Sequence, residues 1–333
     1  YSGADSGNYS VTDQSSTTAD ISTKALTATA SASNKTYNAT NSASVTMTLS
    51  GLIGSETLGS TNTSTFNNKN VGTGKTVTVN SITLADGTNG GLAANYSISA
   101  GQTTTANITA KSLTVSGITA SNKTYDGNSV ASLDASSVAY SGLVSGDTLN
   151  TTFIGAFSDK NVGTGKTVTI TPTYSGSDVS NYSITNHADV TANITAKSLT
   201  VSGVTASDKT YDSTVTATMD ASSSAVYSAL VDGDDFTGSY SGVFANANVA
   251  NGKTVTITSS YRGADVSNYN ITDQTSTTAN ISAKALTATA SASNKVYDGS
   301  SAATSTLTLS GFVGSETVTS TNSSTFNNKN AGT

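Results

Sequence analysis

One short stretch limits what this chain can become, because it keeps returning. Lys123-Thr124-Tyr125-Asp126-Gly127 recurs as Lys35-Thr36-Tyr37-Asn38, as Lys209-Thr210-Tyr211-Asp212 and as Lys295-Val296-Tyr297-Asp298-Gly299. The four tyrosines are spaced 88, 86 and 86 residues apart. Solenoid rungs run roughly 20–50 residues, so this period is too long for one. It suits a small domain, for which roughly 50 residues is a lower bound. The spacing therefore predicts a tandem array of small domains, each with its own core.

The copies fall at residues 24–110, 111–196 and 197–283. Residues 1–23 read as the C-terminal part of a repeat and residues 284–333 as the N-terminal part of another. Residues 1–73 align without gaps on 261–333 at about two-thirds identity, so three copies form a longer period of 260. Ends that fall inside a copy lead us to expect a segment of a longer chain, with any export signal or anchor outside it.

Strand formers dominate the local patterns. Lys111-Ser112-Leu113-Thr114-Val115 opens one copy, and Lys24-Ala25-Leu26, Lys197-Ser198-Leu199 and Lys284-Ala285-Leu286 open the others. Its alternation of Leu and Val with Thr is the period-2 pattern of a strand buried on one face. Lys166-Thr167-Val168-Thr169-Ile170, with copies at Lys75 and Lys253, alternates in the same way. Many Asn and Asp and 29 Gly supply turns, and the good helix formers are scarce. The fold class is therefore all-β, with a sandwich and a β-grasp-like unit both open. One residue, Ala196, separates the closing strand of one copy from the opening of the next, so little bending is expected and the array should form an elongated rod.

Composition removes several functions. There is no Cys and a single His, and Arg262 is the only arginine. A catalytic pocket needs nucleophile, base and oxyanion stabiliser together, and the acids here recur singly in turns, so no enzyme is expected. The net charge of −6 and the lack of clustered Lys and Arg argue against nucleic acid. No apolar run reaches the roughly 18–20 residues of a membrane span. Absence of Cys is ordinary for bacterial surface proteins.

Some stretches suggest chemistry, and each also has a plainer reading. Gly163-Thr164-Gly165-Lys166-Thr167 ends like a phosphate-binding loop, but Lys160 stands where that motif needs glycine and a strand follows where it needs a helix. A β-turn is expected there. Asp232, Asp234 and Asp235 lie within four residues and form a candidate calcium loop. It lacks the alternating ligands and closing Glu of such loops, so a solvated turn without cofactor is expected. His187, in a loop, reads as a surface residue. The recurring Lys35, Lys123, Lys209 and Lys295 beside tyrosine are expected to lay their stems on the tyrosine ring. Asp126-Gly127 and Asp298-Gly299 favour a turn with positive φ, whereas Ala39 and Ser213 in the same place imply another turn type or strain.

Lys-x-Tyr-Asp-Gly, Asn161-Val162-Gly163-Thr164-Gly165-Lys166-Thr167-Val168, Asn181-Tyr182 and Ala192-Asn193-Ile194-Thr195-Ala196-Lys197 together resemble YDG-type repeat domains. These are related to the MBG-type repeats of very large bacterial surface and secreted proteins, filamentous-haemagglutinin-like adhesins among them. The resemblance covers essentially the whole chain and carries no catalytic residue. It implies a compact β unit serving as the stalk of an adhesin outside the cell, giving length and stiffness for adhesion or biofilm contact. The implied partners are neighbouring repeats, with a host surface or matrix glycan or protein met by regions beyond this sequence. The alternative is a subunit of a self-assembling extracellular matrix filament, joined by strand exchange between chains.

Overall fold

The computed structural model describes residues 1–220 and 224–332; Thr333, the last residue assigned to the fourth copy, lies outside them. Among the described residues the named elements are strands and four 3-10 turns of three residues each. Two compact units divide the chain: Tyr1–Thr119 with Leu133–Gly155 and Thr169–Val190, and Ala120–Ser132 with Ala156–Val168 and Thr191–Thr333. The long strands Asn150–Phe157 and Gly163–Ser175 carry the chain through both, so the units do not follow the sequence period.

The second unit contains the whole third copy, which shows the plan. Lys197–Ser202 is central in a three-stranded sheet, antiparallel to Val226–Ser228 and parallel to Tyr269–Thr272. Leu199 and Val201 alternate inward along it, as their spacing requires. The larger sheet runs Lys209–Thr210, Ser276–Ser282, Ala250–Arg262, Thr237–Phe244, Thr216–Ala217. Its first pair is parallel and the others antiparallel. Thr254 and Thr256 face solvent while Val255 and Ile257 are buried, which is why this Thr/Val/Ile run is a strand. Ala217, Phe244, Val255, Ala279 and Ile281 form the core here. The fourth copy has, among the described residues, the ladders Thr287–Ala292 with Ser305–Ser310 and Ala302–Ala303 with Ser324–Thr325.

The first unit holds the first copy and one face of the second. Lys35–Thr36, Thr103–Thr109, Gly72–Asp86 and Leu58–Phe66 make a four-stranded sheet. Beside it Thr27–Ala32 pairs antiparallel with Val45–Ser50. From the second copy come Ala139–Ser141, Lys111–Ser116 and Tyr182–Thr185, again with the opening strand central. Tyr37, Phe66, Val77, Ala106 and Ile108 of the first copy pack in one cluster with Leu113 and Tyr182 of the second. A core closed within each copy was the expectation. The third-copy cluster and the cluster of Val115, Ile118 and Ile170 in the second copy meet it, whereas this one runs through the copy boundary.

The glycine-rich stretch also differs from its reading as a turn. Strand Ala250–Arg262 shifts register between Ala250 and Lys253 against Ser276–Ser282, and Gly72–Asp86 shifts between Gly72 and Lys75. Gly74, Gly165 and Gly252 sit near φ 60°, and each donates its N–H to an Asn side chain (Asn107, Asn193, Asn280) at 2.7 Å. These are glycine bulges inside a strand. The φ they need is open to glycine without steric penalty, which accounts for the motif.

Candidate functional site at the copy junctions

The signature lysines fasten the turn that follows them. Lys123 Nζ donates to the carbonyls of Asn128 (2.9 Å) and Val130 (3.0 Å) and pairs with Asp126 at 2.6 Å. Lys35 donates to the carbonyls of Thr40 (2.7 Å) and Ser42 (3.0 Å), and Lys209 to those of Thr214 (3.1 Å) and Thr216 (3.2 Å). Lys295 reaches Ser300 O at 3.0 Å and pairs with Asp298 at 2.9 Å. Lys209 holds the Asp212 carboxyl down to about 2, and Lys295 does the same to Asp298. The ring beneath each ammonium is a phenylalanine of the same copy, Phe66, Phe157, Phe244 or Phe326, at 5.5–5.9 Å. This corrects the expected lysine–tyrosine pairing. The turn orders the backbone so that lysine meets its own copy while the tyrosine ring leaves it. At the Gly127 position, φ is 80°, and it stays positive at Ala39 (62°) and Ser213 (64°), so the two copies without glycine keep the turn type and carry strain.

The tyrosines point to the next copy. In the first unit Tyr37, only 1% exposed, meets Tyr182 edge-on with ring centroids 5.6 Å apart. Tyr125 is also 1% exposed and meets Tyr269 at 5.5 Å in the second unit. Edge-on aromatic pairs contribute about 0.5–1.5 kcal/mol beyond burial. Around each pair stands the same polar set. Lys69 pairs with Asp178 (3.2 Å) and Asp147 (3.5 Å); Lys160 pairs with Asp265 (2.8 Å) and Asp234 (3.2 Å). The Tyr182 hydroxyl donates to Asp147 and accepts from Val144 N–H, as Tyr269 does with Asp234 and Val231. Asn181 and Asn268, both fully buried, accept from the backbone N–H of Val71 and Val162 of the preceding copy at 2.9 Å.

These contacts hold charge in a dry place. The Asp147 and Asp234 side chains are 2% and 3% exposed. Lys69 keeps the Asp178 carboxyl below the usual carboxylate range, and Lys160 does so for Asp265. Burial, then Asp147, pushes the Tyr182 phenol up to about 12, and burial and Asp234 raise Tyr269. One difference separates the two sites. The Tyr125 hydroxyl donates to Asp234 at 2.9 Å, whereas the equally buried Tyr37 hydroxyl has no hydrogen-bond partner among the described residues.

In the acidic loop Asp232 and Asp235 are exposed, as the solvated-turn reading has them, and Asp234 departs from it. Asp234 is buried between Lys160, Tyr125 and Tyr269, and Asp235 accepts from Ala264 N–H at 3.0 Å. Among the described residues no group of three or more His, Asp or Glu is arranged to hold a metal ion. Tyr211 reaches Glu316 of the fourth copy, while Tyr297 is 60% exposed. Sequence reasoning missed Lys69, Lys160, Asp178, Asp265, Asn181 and Asn268 as one constellation. Their recurrence in Lys69-Asn70 and Lys160-Asn161, and in Asp178-Val179-Ser180-Asn181 and Asp265-Val266-Ser267-Asn268, was the available signal.

No curated protein and no solved structure matches the chain. The family model of the YDG domain matches four times in tandem, at residues 22–106, 109–192, 195–278 and 282–333. With matches over nearly its whole length, and with the Tyr-Asp-Gly turn serving as the element that docks one copy on the next, the chain belongs to the YDG domain family, as a tandem repeat array.

Proposed function

We infer that this chain is part of the stalk of a large bacterial cell-surface or secreted adhesin, a non-enzymatic segment that supplies length and stiffness for contact with a surface or matrix. The observation that carries the reading is the recurrence of one junction. Lys, two Asp, Asn and two Tyr meet in the same way at both junctions between complete copies, with the aromatic pair and the buried Asn spanning the copy boundary. A linker free to swivel would leave these groups hydrated; burying two carboxylates beside one lysine holds a single geometry, since a misaligned pair leaves an uncompensated charge. Such a joint transmits direction from copy to copy. Working outside the cell without disulfides, it relies on this packing alone for rigidity.

Small-angle scattering on this chain and on chains lengthened by one and two copies tests the reading. Each added copy should extend the maximum dimension by a constant step of about 30 Å or more, set by the size of an 86-residue domain. A dimension that levels off with copy number rules out the stalk. Mass that grows with concentration in the same samples favours instead the strand-exchanged filament. Protease shaving of intact source cells tests the location: retention of the full-length product would place it inside.

A further inference from the structure

The junctions are not all alike, and the differences match across each boundary. Three positions decide the comparison. On the trailing side is the residue three after the core phenylalanine: Lys69 after Phe66, Lys160 after Phe157, but Ala247 after Phe244. On the leading side are the acid that receives the tyrosine hydroxyl and the residue that begins the 3-10 turn before Asn-Tyr. Copies two and three carry Asp147 with Asp178 and Asp234 with Asp265. The first copy carries Glu56, which receives Tyr96, and Leu92 at the start of its turn. The fourth copy repeats the first in sequence over residues 284–333, which do not reach the leucine position, and presents Glu316, which receives Tyr211 of the third.

Lysine thus stands where two aspartates follow, and alanine stands where the glutamate type follows. The physical reason is charge balance in a confined place. Two aspartates only 2–13% exposed repel each other unless a cation lies between them, as Lys69 and Lys160 do at 2.8–3.5 Å. In the first copy, which has the glutamate, Leu92 takes the place of the second carboxylate, so a lysine facing this copy type would meet an apolar side chain and one acid. The longer glutamate reaches the incoming tyrosine without the lysine.

We propose that the 247 position and its equivalents determine which copy can follow which: a lysine trailing face accepts only a two-aspartate leading face, and the alanine face accepts only the glutamate–leucine face. A copy of the first type then follows only a copy of the third. The 260-residue period is in this view a docking order written in three side chains.

Hydrogen exchange on the full chain tests this at the amides of Val162 and Val231, which cross or brace the second junction. Lys160→Ala alone should lower protection at both by about tenfold or more, because it leaves two buried carboxylates facing each other. Adding Asp234→Glu and Asp265→Leu, which recreates the alanine type, should bring protection back to within about threefold of the native chain. The equivalent series at Lys69, Asp147 and Asp178, read at Val71 and Val144, gives an independent measurement if one variant fails to fold. Unchanged protection in Lys160→Ala, or a triple variant no better than the single one, overturns the proposal.

Discussion

Tyr125 and Tyr211 occupy the same place in the same turn, one copy apart, yet are unlike in fate. Tyr125 is 1% exposed, packs edge-on against Tyr269 and donates to a carboxylate already held by Lys160. Tyr211 is half-buried and donates to Glu316, with Ala247 where the lysine would stand. The local sequence is Lys-Thr-Tyr-Asp in both, and Lys123 and Lys209 fasten their turns in the same way. The turn is therefore a local structure, complete without its neighbour. Burial of the ring belongs to the junction. A repeat of this kind presents a preformed knob, and what the knob is worth depends on the face that receives it.

The largest effect should come from removing the acid under the knob. Asp234→Ala leaves Lys160 paired with Asp265 alone and takes the acceptor from the Tyr125 and Tyr269 hydroxyls, a loss of about 1–3 kcal/mol for each buried donor left unsatisfied. Glu316→Ala should cost less than about 1 kcal/mol, the range of exposed pairs. Urea unfolding of the two variants measures both, and equal losses would erase the distinction between the junctions. Next in size is Gly127→Ala. An added Cβ would lie 2.7 Å from the Val231 side chain of the next copy at a φ of 80°, so about 1–3 kcal/mol of destabilisation is expected from overpacking and strain. Ser213→Gly, at a φ of 64°, should go the other way by about 0.5–1 kcal/mol. Thermal melts of the pair would show opposite signs.

Tyr125→Phe should cost about 1 kcal/mol, since it removes a hydrogen bond from a buried acid. Tyr37→Phe should be neutral or slightly stabilising, because the Tyr37 hydroxyl is buried without a partner among the described residues. A loss of similar size in both would mean that the hydroxyl at the first junction is satisfied in solution. The gentlest probe is pH. Lysine depresses Asp178 and Asp265, so their contribution is complete above the unfolded carboxyl value of about 4 and is lost as pH falls through the lower folded values. Tyr182 is raised, so its contribution is complete below about pH 10 and is lost as pH rises through about 12. Melting temperature against pH should fall at both extremes, and junction amides should lose protection before those of the Thr237–Phe244 ladder.

Much of this was readable in the chain. The Thr/Val/Ile alternation in Lys253-Thr254-Val255-Thr256-Ile257 appears as the buried strand it implies, and the Asp126-Gly127 turn has the positive φ its residues allow. The four YDG matches follow the recurrence of the pentad. Less was legible at the site. Asp234 looked like a solvated acid because its sequence neighbours, Gly233 and Asp235, are turn residues, while the groups that bury it lie 35 to 109 residues away. Lys123 was assigned to the wrong ring because Tyr125 is near it in sequence, whereas Phe157 is near it in space.

Sequence by itself determined the period, the strands and the tyrosine turn, since each rests on the backbone preferences of a few adjacent residues. Tertiary structure alone decided that the tyrosine leaves its own copy and that a lysine from one copy neutralises two aspartates in the next. Those outcomes depend on which side chains two separate stretches bring within about 4 Å of each other, where desolvation and charge act together. Adjacency along the chain carries no record of that distance.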